Sequence, residues 1–237
     1  ISASWFGSLM RTAHRYASQG LVIVIIIHTI KMLFADRFWG TRWLAWVSGI
    51  LLVFLIWAVG AMGYFLIWDQ PAQWLAEYFT QFMKGPIQMT FFLPNRTEDA
   101  FQFFVIILLL HIFLSVVIIV GMVIHEMRLQ RPRVLSPRWM LITASLVLTG
   151  MSLIRPVIDV LTGDISTLVG ETRVDMSYLG FLPLAQQLGV PLFWGGSFAI
   201  LVVSCALPWI IQGRHTGPAL IRADECVACE ICVKECP

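Results

Sequence analysis

Two apolar stretches of this chain each carry a pair of histidines at the same interval, and that interval restricts what the chain can fold into. The first runs from His14 to His28 and the second from His111 to His125, fourteen residues in both cases. At about 100° per residue, fourteen steps close to within about 40° of whole turns, so both imidazoles of a pair share one helix face. With a rise of about 1.5 Å per residue they stand about 21 Å apart along the axis. Two such helices facing each other would offer two stacked pairs of axial imidazoles, a cage for two haems, one near each face of a membrane. A lone histidine in a membrane helix can be an ordinary satisfied polar residue. Four of the five histidines in two equal pairs are harder to explain that way, because polar groups at membrane depth are costly and mark functional paths.

The environment follows from composition: 58% of the 237 residues are hydrophobic and 13% are charged, about half the charged share of an ordinary soluble domain. Five segments, at about 12–35, 44–68, 100–127, 139–158 and 190–212, are long and apolar enough to span a bilayer, which takes about 20 residues. The fold class expected is an all-α polytopic membrane protein, a di-haem helical bundle with about five transmembrane helices. The chain opens on Ile1 and stops at Pro237 inside a motif, so further residues are expected at both ends. No nucleic-acid partner is expected.

Basic residues set the orientation. Lys31, Arg37 and Arg42 follow the first helix, and Arg128, Arg131, Arg133 and Arg138 follow the third. The connections at 69–99 and 159–175 are richer in acidic residues. The first set therefore faces the cytoplasm, helices one and three run in the same direction, and first histidine faces first histidine. His14 is expected to pair with His111 towards the outer side, and His28 with His125 towards the cytoplasm. Arg11 and Arg15 lie within a turn of His14 and Lys31 lies three residues after His28. They are candidates to meet haem propionates, or cations snorkelling to the interface. Gly49 and Gly63 repeat the fourteen-residue interval on helix two. They would admit a flat macrocycle close to the backbone, or serve helix packing alone.

Phe6-Gly7, the run Arg11-Thr12-Ala13-His14-Arg15-Tyr16, Trp46-Val47-Ser48-Gly49, Gly60-Ala61-Met62-Gly63-Tyr64 and Trp68-Asp69-Gln70 together resemble the cytochrome b family of quinol:cytochrome c and quinol:plastocyanin reductases, nearest its chloroplast and cyanobacterial form. The resemblance covers about residues 5–130. It implies that the four histidines ligate a low-potential outer haem and a high-potential inner haem, that Arg11 and Arg15 serve the outer one, and that a quinone or menaquinone site adjoins each. It also implies outer partners of the Rieske or c-type cytochrome kind. The family has a membrane helix before the first histidine helix, which is expected among the residues missing ahead of Ile1, and a proline where Ile67 stands. Its Pro-Glu-Trp-Tyr element, whose glutamate accepts a quinol proton, is answered only by Val174-Asp175-Met176-Ser177-Tyr178. Asp175 is either a stand-in for that glutamate or an ordinary loop aspartate.

The 71–83 run reads as an amphipathic surface helix with Trp74, Leu75, Tyr78, Phe79 and Phe82 on one stripe. It would roof a quinol pocket or lie on lipid. The tail, Cys226-x2-Cys229-x2-Cys232-x3-Cys236-Pro237, has the spacing of bacterial ferredoxins, in which short intervals let three thiolates close on one cluster face. One [4Fe-4S] cluster is expected on a cytoplasmic tail, or two if a second run follows.

These readings divide the chain into a di-haem domain at 1–135, two further membrane helices with an outer loop at 136–213, and the start of an iron–sulfur segment at 214–237. The expected function is electron transfer across a bacterial or archaeal cytoplasmic membrane, as a subunit of a quinol/quinone oxidoreductase that exchanges electrons with a cytoplasmic iron–sulfur carrier. Alternatives are a haem b anchor of a quinone-linked dehydrogenase, a membrane anchor of purely structural role, and, from another class, a histidine-lined metal or proton transporter.

Overall fold

Long apolar runs with no water to bond their backbone close their own hydrogen bonds as helices, and the computed structural model has seven α-helices and no strand among the residues it describes. These are 5–83, 97–127, 136–157, 175–211 and 226–227. The helices are α1 (Trp5–Phe34), α2 (Trp43–Ile67), α3 (Gln70–Met83), α4 (Thr97–Met127), α5 (Arg138–Ile154), α6 (Phe181–Leu188) and α7 (Val190–Ile210), with a 3₁₀ turn at Gly40–Arg42. α1, α2, α4 and α7 are long and apolar enough to cross a membrane, and the chain is a multi-pass membrane protein.

The fifth expected span is shorter than the sequence suggested. α5 is 17 residues long and stops at Ile154, because Pro156 disfavours helical backbone at Arg155. At about 1.5 Å per residue it covers about 25 Å, short of a hydrocarbon core of about 30 Å.

α2 is the centre of the bundle. It packs against α1, α4, α7 and α3, whereas α1 and α4 make little direct contact with each other. The Trp46 indole N–H donates to the Ser204 carbonyl at 2.7 Å and staples α2 to α7. α2 ends where Trp68 adopts left-handed backbone (φ 53°). The next residue starts α3, since Asp69 Oδ1 accepts the Ala72 N–H at 2.9 Å, the usual service of an N-capping aspartate. Gly189, at φ 77°, turns the chain from α6 into α7, a conformation that costs glycine nothing.

The buried core lies at the His14 end of the bundle, where Tyr64, Phe65, Leu75, Phe103, Tyr178 and Leu182 meet. α3 does not lie loosely on the surface: Leu75 and Tyr78 are buried, and Tyr78 packs edge-on against Phe181 of α6 at 5.9 Å. The side chains of Phe79 and Phe82 lie outside the described residues.

Candidate functional site

Parallel placement of α1 and α4 around α2 brings first histidine to first histidine. The His14 and His111 ring centroids are 6.3 Å apart with their planes inclined at 70°. Two imidazoles on opposite sides of one metal, with metal–nitrogen bonds of about 2.0–2.1 Å, would hold their centroids about 6.3 Å apart. At the other end His125 lies within electrostatic reach of His28. His14 and His28 are exposed on α1, and His111 and His125 are half-buried. Imidazoles left against lipid would be costly, so each needs a partner that consumes its lone pair.

Helix α2 meets both pairs with glycine. A Cβ at Gly49 would stand 3.2 Å from His125 Cε1, and one at Gly63 would stand 3.6 Å from His111 Cε1. These two glycines therefore open the backbone of α2 at the two histidine levels. His111 is hydrogen-bonded to the Val59 backbone, and no side chain among the described residues meets its buried Nδ1. His125 Nδ1 is 2.9 Å from Ser48 Oγ. Histidines paired across α1 and α4, with glycine on α2 at each level, fit a flat cofactor held between the two imidazoles. They do not fit a bare metal ion: among the described residues no three His, Cys, Asp or Glu side chains converge, and metal ions held by protein alone usually take more ligands than two.

The expected cations are placed as follows. Arg11 donates to the Val157 carbonyl at 3.2 Å. Arg15 faces the Tyr64 hydroxyl at 3.5 Å and the Asp175 carboxylate at 3.8 Å. A guanidinium has five N–H donors, so neither contact exhausts it. Lys31 is exposed in the last turn of α1.

Asp175 is buried in a network that sequence reasoning did not foresee. Gln19 donates to its Oδ2 at 2.7 Å, the Tyr64 hydroxyl donates to the same oxygen, and the Ser177 N–H donates to Oδ1 at 2.8 Å. Burial alone would raise this carboxyl, but the bonds from Tyr64, Gln19 and Ser177, with the Arg15 charge, together hold it below the ordinary carboxylate range. A proton acceptor here would first have to break those bonds. Three residues on, Tyr178 donates to the Ser18 carbonyl at 2.9 Å, and its ring lies on the backbone of Gly60, where a Cβ would come within 1.9 Å of Cε1. Asp69 is the contrasting carboxyl at this end: it is 2% exposed and burial pushes it above its ordinary value. It protonates more readily than Asp175.

Gln19, Tyr178, Gly60 and Ser48 are the residues that the sequence reading missed as contributors. Gln19 carried a signal, being the last polar side chain before the apolar run that leads from Leu21 to His28. Of the tail, Cys226 is exposed, and Cys229, Cys232 and Cys236 lie outside the described residues.

Comparison with known proteins gives the same picture. Residues 19–140 match the family model described as cytochrome b(N-terminal)/b6/petB, about half of the chain. The cytochrome b6 of Gloeobacter violaceus is 38% identical over 76 residues, 32% of this chain and 35% of that protein. The cytochrome b6 of a Synechococcus strain is 38% identical over 72 residues, 30% of this chain and 34% of its own length. That of Euglena gracilis is 36% identical over 75 residues, 32% and 35% respectively. The chain thus spans about a third of the length of these relatives. No solved structure matches it.

Proposed function

Because the chain belongs to the cytochrome b (N-terminal)/b6 family, we propose that it is the membrane electron-transfer subunit of a quinol-linked oxidoreductase. His14 with His111, and His28 with His125, would each hold one b haem, which when bound supplies a one-electron carrier at that level. The observation that carries this reading is the 6.3 Å separation of the His14 and His111 rings.

The chain's own residues have distinct tasks in this reading. Gly49 and Gly63 keep α2 clear of the two cofactors. Arg11 and Arg15 at the outer level, and Lys31 at the inner one, offer positive charge to propionates. Tyr64, Gln19 and Arg15 hold Asp175, which fixes the 175–178 segment beside α1 and α2. Asp175 takes part in quinol deprotonation only where that network opens. Cys226, Cys229, Cys232 and Cys236 would bind a [4Fe-4S] cluster on the cytoplasmic side and connect the inner haem to an iron–sulfur carrier. Quinone or menaquinone as membrane substrate, and Rieske or c-type partners outside, are proposed on the family's chemistry. The cysteine run also favours a second reading, a haem b anchor through which a soluble iron–sulfur dehydrogenase reduces quinone.

Reduced-minus-oxidised spectra of the purified protein test the core of the proposal. Two b haems per chain are expected. His14→Ala and His111→Ala should each remove one of them, and His28→Ala and His125→Ala the other. Absence of b-type bands in the unsubstituted protein, or loss of the same haem from the His14 and His125 variants, would refute it.

A further inference from the structure

The two histidine levels share their plan, and one difference between them lies on α2. Gly49 and Gly63 are fourteen residues apart, and so are the residues that precede them, Ser48 and Met62. Fourteen residues return α2 to nearly the same face, so Ser48 and Met62 occupy equivalent places. At one level a hydroxyl stands beside the imidazole on α4. The equivalent position at the other level carries a thioether, which is only a weak acceptor.

The tautomer of His125 sets which way the Ser48 bond runs. A serine hydroxyl has one proton to give, and the Ser48 hydroxyl donates it to the Ala45 carbonyl at 3.1 Å. In the His125 tautomer that carries its proton on Nδ1, the 2.9 Å contact is a bond in which the ring N–H donates and Ser48 Oγ accepts, which keeps the Ala45 bond intact. That leaves Nε2 of His125 without a proton, the form in which an imidazole binds a metal. An N–H donated by a ligating histidine to an outer acceptor fixes the ring and makes it a stronger donor to the metal. At the other level no side chain among the described residues meets His111 Nδ1, and the hydrogen bond of that ring runs to the Val59 backbone.

We propose that Ser48 is a positioning residue for the inner haem site, which seats His125 through its Nδ1–H and lowers the reduction potential at that level, a side-chain acceptor that Met62 does not supply at the outer site. The proposal rests on the haem reading above and goes beyond it, because it assigns the two sites different ligand chemistry. A more basic axial imidazole favours the ferric state, so removal of the acceptor should raise the midpoint of the inner site alone.

The test compares Ser48→Thr with Ser48→Val in the full chain in its native membrane, by potentiometric titration followed at the b-haem bands and by haem content. Threonine and valine have nearly the same shape, so packing is held constant while the acceptor is kept or removed. Ser48→Val should raise the reduced-to-oxidised ratio of the His28/His125 haem, read at the midpoint of the unsubstituted protein, by about tenfold. That equals about 59 mV for one electron. The outer haem should not move, and Ser48→Thr should titrate like the unsubstituted protein. If Ser48→Val costs haem occupancy, the fraction that retains the inner haem is titrated, and Ser48→Ala repeats the measurement with a smaller side chain. An unchanged inner midpoint in both, equal shifts at both haems, or the same shift in Ser48→Thr would overturn the proposal. A protein with no b haem at all would overturn the function reading instead, and that is seen before any variant is made.

Discussion

Replacing Gly60 by alanine should release the segment that carries Asp175 and Tyr178. An added Cβ would stand 1.9, 2.3 and 2.7 Å from three atoms of the Tyr178 ring. The backbone of α2 cannot retreat, since α2 is packed on several sides, so the ring must move by about 1.5–2 Å to regain ordinary contact. The phenol now donates to the Ser18 carbonyl at 2.9 Å, and a displacement of that size breaks the bond. Loss of one buried hydrogen bond costs about 1 kcal/mol, and overpacking adds about 1–3 kcal/mol. Alanine gains up to about 1 kcal/mol over glycine in helix propensity, so the net loss should be about 1–3 kcal/mol. The assay is thermal inactivation of the detergent-solubilised protein, followed by loss of its native b-haem spectrum, together with limited proteolysis of the 175–180 region. Gly60→Ala should unfold at lower temperature and be cut there faster. In a Tyr178→Ala background the same substitution should cost nothing or stabilise slightly, because the clash is gone and the propensity gain remains. Equal destabilisation by Gly60→Ala in both backgrounds would refute the argument.

Three further outcomes are expected. Gly49→Ala should lower haem occupancy at the His28/His125 level more than Gly63→Ala lowers it at the His14/His111 level, because the added carbons would stand at 3.2 and 3.6 Å from the respective rings; haem stoichiometry in the two variants checks it. Asp175 has its carboxyl held below its ordinary value of 3.8, so its contribution to stability should be complete above about that pH and vanish as pH falls through the lower folded value. Thermal inactivation against pH should show this component in the unsubstituted protein and not in Asp175→Asn, which should be less stable by about 2 kcal/mol near neutrality. Cys229→Ser should abolish the paramagnetic signal of a reduced iron–sulfur cluster while both haem spectra persist, and an unaltered signal would remove the cysteine run from the cofactor assignment.

What was legible in the sequence is what periodicity encodes. The fourteen-residue interval placed each imidazole pair on one face, and charge parity predicted that His14 would meet His111. Gly49 and Gly63 were readable for the same reason, as were Leu75 and Tyr78 on the inner side of α3. The Asp175 network was not readable, because Gln19 and Tyr64 lie 156 and 111 residues away in sequence. No local pattern tells an aspartate which distant helices it will meet. Tyr178 on Gly60 is hidden for the same reason: a glycine in a membrane helix signals close approach without saying by what. The overlong reading of α5 was avoidable, since Arg155-Pro156 carried the stop signal.

The position of α2 has a consequence for how this protein can vary. Its three glycines at 49, 60 and 63 each meet a different ring, those of His125, Tyr178 and His111. The helix therefore acts as a gauge read at three marks. Inserting or deleting one residue between the first and last mark would rotate one end against the other by about 100° and advance it by about 1.5 Å. A side chain would then stand where an imidazole or a phenol must pass. Point changes on the lipid-facing side of α2, at Leu51 or Phe54, touch none of the marks. Divergence along this helix should accordingly run through substitution on its outward side while its length from Gly49 to Gly63 stays fixed.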